Sequence, residues 1–378
     1  LKERKIVIVN QAINYLTIGI ANEFAKEYDE VALITGSVHV QGEELDDSIK
    51  ISKVNKYTEK SLKHKFFNWM NALVRMYFLL LFKFRGYEIL YITNPPMAYL
   101  LSFFLPQRFS VLMWDVYPDS LKIFGMSENH LFYRIWTKAN RLLLKRAKRV
   151  FTIGQKISGL INNYVPKDKI TIVPLWTTFT NEEIISKEAN FFITENNLND
   201  KFVVQYSGNI GVTHNVEVLL DIAELLIENE EIIFQIIGRG TRVEDIKRRI
   251  SQKSLKNCQW LPFQSDEDFP YSLAAADLGV VILDDRTSQG SVPSKTYNLM
   301  KAGKPILYIA SEDSELRDYA QKFQNGICLH ASEVNEISSF IKDISGRKDL
   351  YQKLSINSTN ASAFFVRENA SLFVKSMC

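Results

Sequence analysis

FVVQYSGNIGVTHNVEVLLDIAELLIENEEIIFQIIGRG, residues 202–240, holds the unit from which the fold is read. An apolar run, FVVQYSG (202–208), ends in glycine. A helical stretch over 215–228 follows, and a second apolar run, EIIFQIIG (231–238), again ends in glycine. Short runs that are apolar throughout and alternate with helices are the mark of parallel strands covered on both faces.

The alternation continues toward the C-terminus through CQWLPF (258–263), LGVVIL (278–283), PILYIA (305–310) and GICLH (326–330), with a helix over 243–252. Toward the N-terminus it runs through KIVIVN (5–10), VALIT (31–35), EILYIT (88–93), VLMW (111–114), VFTIG (150–154) and ITIVP (170–174). Helices are expected there over 19–28 and 132–147. Two such sets predict an α/β fold of two doubly wound, Rossmann-like domains. The boundary falls in 175–201, where hydrophobic periodicity lapses into Asn, Thr and Glu, so the domains are read as 1–180 and 181–361. Residues 362–378 read as an amphipathic helix that caps the second domain or crosses back to the first. Internal repeats and low-complexity tracts are absent from the sequence.

Of 378 residues, 46% are hydrophobic and 24% charged, which excludes a disordered or fibrous chain. Cys258, Cys328 and Cys378 are too few and too far apart for a disulfide framework or a thiolate zinc site. The five histidines never fall at ligand spacing, so no metal is expected. The net charge of +3 conceals an asymmetry: residues 1–176 hold 25 Lys and Arg against 15 Asp and Glu, and the rest 21 against 28. A basic half points to an anionic partner, nucleic acid or an acidic membrane surface. The chain opens directly into a strand, so a secretory leader is not expected. FFNWMNALVRMYFLLLFKF (66–84) is the most lipid-like stretch, but Asn68, Asn71, Arg75 and Lys83 interrupt it. A spanning helix needs about 20 apolar residues, so this one is expected not to span.

In open parallel sheets, ligands bind where strand carboxyl ends lead into helix N-termini, and with two sheets the cleft between them is the expected site. Three loops of the second half qualify. Ser207-Gly208-Asn209-Ile210-Gly211 lets backbone approach a ligand closely, or is a plain tight turn. It matches neither a Walker loop nor a dinucleotide fingerprint. Gly238-Arg239-Gly240 offers a guanidinium to a phosphate, or an ordinary solvated turn. Gly290-Ser291-Val292-Pro293-Ser294-Lys295 fixes a turn at Pro293 and opens a helix that ends at Ala302-Gly303. Amides, a hydroxyl and a lysine at one helix start form a diphosphate site, and Asn298, one turn on, faces the same side. A plain connection accounts for Gly303 and Pro305, but not for Ser291 to Lys295.

The succession GNIG (208–211), GRG (238–240), WLPF (260–263), AAADLGVVIL (274–283) and GSVPSKTYNLMKAGKPI (290–306) resembles the nucleotide-sugar domain of retaining glycosyltransferases of family 4, which have the two-domain GT-B fold. ITNPP (92–96), WDVYPD (114–119) and VFTIG (150–154) resemble the branch that includes bacterial fucosamine transferases of surface-polysaccharide synthesis. The resemblance covers nearly the whole chain and is strongest over 203–330. It implies that Gly208, Asn209, Ile210 and Gly211 lie against the donor diphosphate, with Arg239 near it. Leu261, Pro262 and Phe263 border the base, Gly290 to Lys295 wrap the distal phosphate and sugar, and Asn298 reaches the ribose. It also implies that the C-terminal helix crosses back to the first domain.

Two departures stand out. Many members carry two glutamates, one near the donor sugar and one on the ribose, where this chain has Gly290 and Asn298. Sugar recognition then falls to Ser288, Gln289 or Ser291. The Arg and Lys that many members place after the GNIG-like loop are replaced by Val212-Thr213-His214-Asn215, leaving Lys295 and Arg239 as the cations. No cofactor is implied, and the nucleotide-sugar, a UDP-sugar by expectation, is a substrate.

On the acceptor side, Asp115 follows an apolar strand, where it orients an acceptor hydroxyl or caps a helix. Tyr117 and Gly19, with the loop Asn10–Thr17, complete the candidate acceptor wall. Arg134, Lys138, Arg141, Lys145 and Arg149 recur in steps of four and three, which puts them on one face. No acidic residue occurs from Asn129 to Lys167. With 66–84 and its flanking lysines, Lys63 and Lys65 among them, this face suits an anionic bilayer better than nucleic acid. The function expected is retaining transfer of a hexose or N-acetylhexosamine unit to a glycan or polyprenyl-diphosphate-linked acceptor at the cytoplasmic face of the plasma membrane. Asp115 and Lys295 are the catalytic candidates. The alternatives are a nucleotide-sugar epimerase or hydrolase of the same fold and a non-catalytic two-domain sugar-binding protein.

Overall fold

Consecutive β-branched residues bury both faces of each central strand: Ile6, Val7, Ile8 and Val9 are fully buried, as are Val281 and Ile282. In the computed structural model, which describes residues 3–58, 62–177, 185–211 and 214–377, such strands build two parallel sheets. The chain divides into one unit of Leu1–Thr178 with Val366–Cys378, and a second of Phe179–Phe365.

In the first unit the strands are β1 (Lys5–Val9), β2 (Glu30–Thr35), β3 (Lys50–Lys53), β4 (Glu88–Ile92), β5 (Phe109–Leu112), β6 (Val150–Thr152) and β7 (Ile170–Ile172). Their order is β3-β2-β1-β4-β5-β6-β7, parallel throughout. The second unit has β8 (Phe202–Asn209), β9 (Ile232–Arg239), β10 (Cys258–Leu261), β11 (Leu278–Ile282), β12 (Ile306–Ile309) and β13 (Gly326–Leu329). Their order is β10-β9-β8-β11-β12-β13, again all parallel. Each sheet reverses its winding beside its first strand, between β1 and β4 and between β8 and β11. Such switch points open crevices at the strand carboxyl ends.

Helices α1 (Tyr15–Glu27), α2 (Leu62–Phe78), α3 (Leu131–Leu144) and α4 (Gln155–Ile161) belong to the first unit. The second unit holds α5 (Phe191–Glu195), α6 (Val218–Leu225), α7 (Val243–Gln252), α8 (Phe269–Ala275) and α9 (Lys295–Lys301). It continues with α10 (Glu315–Phe323), α11 (Val334–Gly346) and α12 (Lys348–Ser362), after which α13 (Ser371–Met377) returns to the first unit. Among the described residues, no helix is long and apolar enough to cross a membrane.

Two elements depart from the reading of the sequence. Strand β3, KISK, was not expected because it lacks an apolar run: only Ser52 is buried, and the lysines protect an open sheet edge. The single amphipathic helix expected over 362–377 is broken. Phe365 is held in the second unit by the rings of Tyr297, Tyr319 and Phe323, at centroid distances of 4.6, 5.4 and 5.7 Å. Val366 is extended, a 3₁₀ turn spans Arg367–Ala370, and α13 begins anew. A chain leaving one core for another cannot keep one helical stripe facing both.

Arg367 fastens the returning segment. Its guanidinium donates to both Glu43 oxygens at 2.6 Å, to Glu23 at 3.1 Å and to the Gly19 carbonyl at 3.0 Å. Farther on, Phe373 packs on Phe151 at 4.9 Å. A half-buried guanidinium with this many partners leaves two carboxylates uncompensated when removed. Arg367→Ala is therefore expected to cost about 1–3 kcal/mol of stability, read from urea unfolding. A variant as stable as the parent would show these ion pairs to be solvated and idle.

Candidate functional site

The richest constellation lies at the carboxyl ends of β8, β9 and β11 in the second unit. Strand β8 pairs with β11 only at Val204↔Leu278 and Gln205↔Gly279, while on its other edge it pairs with β9 as far as Asn209↔Arg239. From Tyr206 onward one edge of β8 is therefore open toward β11. Into this opening comes Lys295, the first residue of α9.

Its ammonium lies 3.7 Å from the centroid of the Tyr206 ring, buried and without a hydrogen-bond partner. Gly208 makes the room: a Cβ there would sit 2.6 Å from Lys295 Nζ. Burial pushes the lysine down from its usual 10.5 to about 7. The ring face gives partial compensation through its quadrupole, but no carboxylate among the described residues pairs with the ammonium. His214 lies in the same field. Burial, and then the Lys295 charge, push its imidazole down to about 4, with Asp284 opposing.

The two glycine loops pack backbone on backbone. Gly208 stands opposite Gly238 in register, and a Cβ on Gly238, where φ is 154°, would fall 1.8 Å from the Gly208 carbonyl oxygen. Ile210 N donates to the Arg239 carbonyl at 2.9 Å, and Tyr206 Oη donates to the Asn209 carbonyl at 2.7 Å. Ile210 and Gly211 are buried and Asn209 is exposed. The Arg239 guanidinium, at the carboxyl end of β9, covers the Phe263 ring at 4.7 Å, and Phe263 with Pro262 is exposed just beyond β10. Leu261 is half-buried at the strand end.

The third loop has the turn and the helix expected of it. Thr296 N and Tyr297 N donate to the carbonyls of Pro293 and Ser294 at 3.1 and 3.0 Å, and α9 ends at Gly303, where φ is 63°. Val292 is buried, Gly290, Ser291, Pro293 and Asn298 are half-buried, and Ser294 is exposed with no side-chain cap bond. Ser288 Oγ donates to the Asp284 carbonyl at 3.2 Å and Gln289 bonds Asp313, whereas the Ser291 hydroxyl has no partner among the described residues. Val212 and Thr213, where the usual Arg and Lys segment is replaced, lie outside the described residues, as does the Lys63 side chain.

Sequence reasoning missed Tyr206 and His214. Tyr206 stands in an apolar strand and reads as core until the lysine is seen on its face. His214 lies in a helix-entry segment with no spacing signal.

In the first unit, Asp115 is exposed beyond β5, and its carboxyl is pushed up by the protein crowded around it, with Lys65 pulling it down. The Lys65 ammonium lies 5.5 Å from the Tyr57 ring and 5.2 Å from the Trp69 ring, and those rings stack at 6.5 Å. Tyr117 stacks on Trp136 at 5.5 Å, and burial followed by the Asp115 charge raises its hydroxyl.

Gly19 does not join this group. It is buried inside α1, where a Cβ would meet Trp176 at 2.8 Å and Arg367 at 3.0 Å, so the glycine serves the return of the C-terminal segment. Arg149 likewise leaves the basic face. It follows α3 at the start of β6 and donates to the carbonyls of Asp168 at 2.9 Å and Ser376 at 3.3 Å. Arg134, Lys138, Arg141 and Lys145 remain exposed.

Residues 186–361 match the family described as Glycosyl transferases group 1, a span that contains the three glycine-bearing loops and Lys295. The chain is 26% identical over 238 residues to the probable glycosyltransferase WbjE of Pseudomonas aeruginosa, covering 61% of this chain and 59% of that protein. It is 24% identical over 227 residues to WcaI of Escherichia coli (strain K12), whose name assigns it as a glycosyl transferase to colanic acid biosynthesis; the match covers 59% of this chain and 55% of that protein. The chain thus spans less than two thirds of the length of the curated relatives it matches. Among solved structures, Anabaena Alr3699/HepE in complex with UDP and glucose superposes with a TM-score of 0.74 at 13% identity, over 99% of both chains. The two-domain α/β fold with parallel sheets is thus the one seen in GT-B glycosyltransferase structures.

An uncompensated buried ammonium has a measurable cost. The unfolded chain holds the Lys295 proton up to its usual 10.5, and the folded chain releases it near 7. Between these values the unfolded state binds more protons, so stability rises with pH. Lys295→Met is expected to raise the unfolding temperature of the ligand-free protein, most at and below neutral pH, with the gain shrinking toward pH 10.5. No gain at neutral pH would mean that the lysine is compensated in solution.

Proposed function

We propose that the chain is a retaining glycosyltransferase that takes its sugar from a nucleotide diphosphate sugar, with UDP as the nucleotide. The observation that carries this reading is the Lys295 ammonium, buried without a partner in the opening that Gly208 leaves beside β8. A charge kept at a cost to the free protein suits an anion that arrives later, and a diphosphate brings two charged phosphates. The family match over 186–361 and the shared fold with a UDP-bound and glucose-bound structure support the same choice.

On this reading the second unit binds the donor and the first unit the acceptor. The Gly208–Gly211 loop lies along the diphosphate and Lys295 pairs with it. Ser291 to Ser294 meet the distal phosphate and sugar, Asn298 the ribose, and Leu261 to Phe263 the base. The sugar C1–oxygen bond to the diphosphate breaks as the acceptor oxygen bonds C1 on the same face. The acceptor proton passes to the departing phosphate oxygen. Lys295 and backbone dipoles stabilise the charge growing on that diphosphate, and Asp115 orients the acceptor hydroxyl. No divalent ion takes part, so EDTA leaves UDP binding unchanged.

The sugar is a hexose or N-acetylhexosamine, and the acceptor a glycan or a polyprenyl-diphosphate-linked saccharide of surface polysaccharide, O-antigen or capsule synthesis. The enzyme works at the cytoplasmic face of the plasma membrane. Colanic acid biosynthesis in the name of one relative supports this setting.

Calorimetry and thermal shift with UDP, GDP and their sugars test the donor. UDP is expected to stabilise the protein, and no stabilisation by any nucleotide sinks the reading. Lys295→Ala is expected to weaken UDP about 10- to 100-fold, as for the loss of a charge-assisted hydrogen bond, and to leave uridine nearly unchanged. Because a bound diphosphate restores the lysine proton, UDP affinity should fall above pH 7 by up to about tenfold per unit. A flat pH profile would remove Lys295 from the diphosphate.

A further inference from the structure

One surface of the first unit has no part in nucleotide binding and is unusually apolar. On α2 and the π-helical turn Leu79–Lys83 that extends it, Phe67, Met70, Val74, Phe78 and Phe82 recur at steps of three and four. All are exposed, Phe67 by 71% and Phe82 by 74%. The opposite side of the same helix, with Ala72, Leu73, Met76 and Leu80, is buried. This helix is apolar on both faces, where a helix at a water surface keeps one polar. The 3₁₀ turn Ala98–Phe103 touches both α2 and α3, and Phe104 just after it is exposed. Exposed Leu131, Ile135 and Leu142 on α3 extend the patch. Contiguous apolar surface on this scale marks an interaction site.

The charge around the patch is mostly basic, and Glu128, just before α3, pairs with Lys122 at 2.5 Å. Glu88 is the only acidic residue between Lys60 and Trp114, and Lys148 holds it at 3.1 Å. Arg75, Arg134, Lys138, Arg141 and Lys145 are exposed, and none pairs with an acidic side chain among the described residues. A second copy of the chain is a poor occupant, because a two-fold contact sets the patch against itself and brings these cations together. An anionic bilayer answers both features at once: acyl chains receive the rings, and headgroup phosphates meet the cations.

We propose that α2, the turn 79–83 and α3 seat the first unit on an anionic bilayer, with Phe67, Val74, Phe78 and Phe82 entering the acyl boundary and the α3 cations meeting headgroups. The side of α2 away from this stripe carries Lys65 and Trp69, with Lys65 acting on Asp115. Docking therefore brings Asp115 close to headgroup level, where a lipid-linked acceptor presents its first sugar. The inference deepens the membrane-presented acceptor proposed above and rests on that reading only for the acceptor's identity.

Vesicle flotation tests it, with vesicles of phosphatidylglycerol and phosphatidylethanolamine against vesicles of phosphatidylcholine alone. The parent protein is expected to bind the anionic vesicles at least about tenfold better. The triple variant Phe67→Ser, Phe78→Ser, Phe82→Ser should lose binding to both while unfolding at the parent temperature, since these side chains stand in solvent. Replacing Arg134, Lys138, Arg141 and Lys145 by Gln should abolish the preference for anionic lipid. The proposal is overturned if the parent protein fails to float with anionic vesicles, or if both variants float like it. It is equally overturned if light scattering shows a dimer that the triple variant converts to monomer. UDP binding reads the second unit alone, so flotation without nucleotide binding defeats the donor reading and spares this one, and the reverse outcome does the opposite.

Discussion

The second unit is organised around a charge without a counter-charge. Lys295 lies against the Tyr206 ring in an opening that exists because β8 and β11 stop pairing at Gln205 and Gly279. Three separate features of the chain converge on that ammonium. A strand with an aromatic residue on the open side supplies its floor. A glycine supplies the space, and a helix beginning at residue 295 brings the side chain in. Changing any one would leave the others without a structural reason. Removing the glycine fills the space, and removing the ring leaves the ammonium with nothing against it. The backbone contact between Gly208 and Gly238 then fixes the loop above the lysine, because neither strand can shift without opening that contact.

Most of the fold was legible because burial on both faces writes a simple code. Ile6 to Val9 or Val280 to Ile282 admit hardly any other reading. Strand β3 escaped because an edge strand is defined by its neighbour and not by its own apolarity. The break at Val366 escaped for a different reason. Phe364, Phe365 and Ala370 continue a helical stripe in sequence, and only the destination of each ring shows that Phe365 belongs to one core and Phe373 to another. Periodicity records which residues are buried, but not in which unit.

The site was legible where a residue type and a local element coincide. Lys295 was found because a lysine at a helix start after a Ser-Val-Pro-Ser turn has a clear electrostatic use. Tyr206 was not, since an aromatic residue in a strand signals core and its role appears only through a partner 89 residues away. Gly19, named from the sequence as part of the acceptor wall, has the protein's own Arg367 and Trp176 as close neighbours, a packing that spacing could not show. Arg239 was read from its place between two glycines at a strand end, and its contact with the Phe263 ring, 24 residues on, could not be read from spacing.

The two missing glutamates acquire a physical sense from the same centre. On the donor reading proposed above, a carboxylate at position 290, five residues before Lys295 in the sequence, would add a negative charge to the loop that meets the diphosphate. Glycine there leaves Lys295 uncommitted in the free protein, which is the state observed. Position 290 itself therefore offers only backbone. Ser288 is turned back onto Asp284 within the loop and Gln289 onto Asp313 beyond β12, so both are engaged. The Ser291 hydroxyl is the uncommitted polar group of the three, four residues before Lys295. On the donor reading proposed above, a neutral hydroxyl four residues before Lys295 selects among sugars by geometry more than by charge.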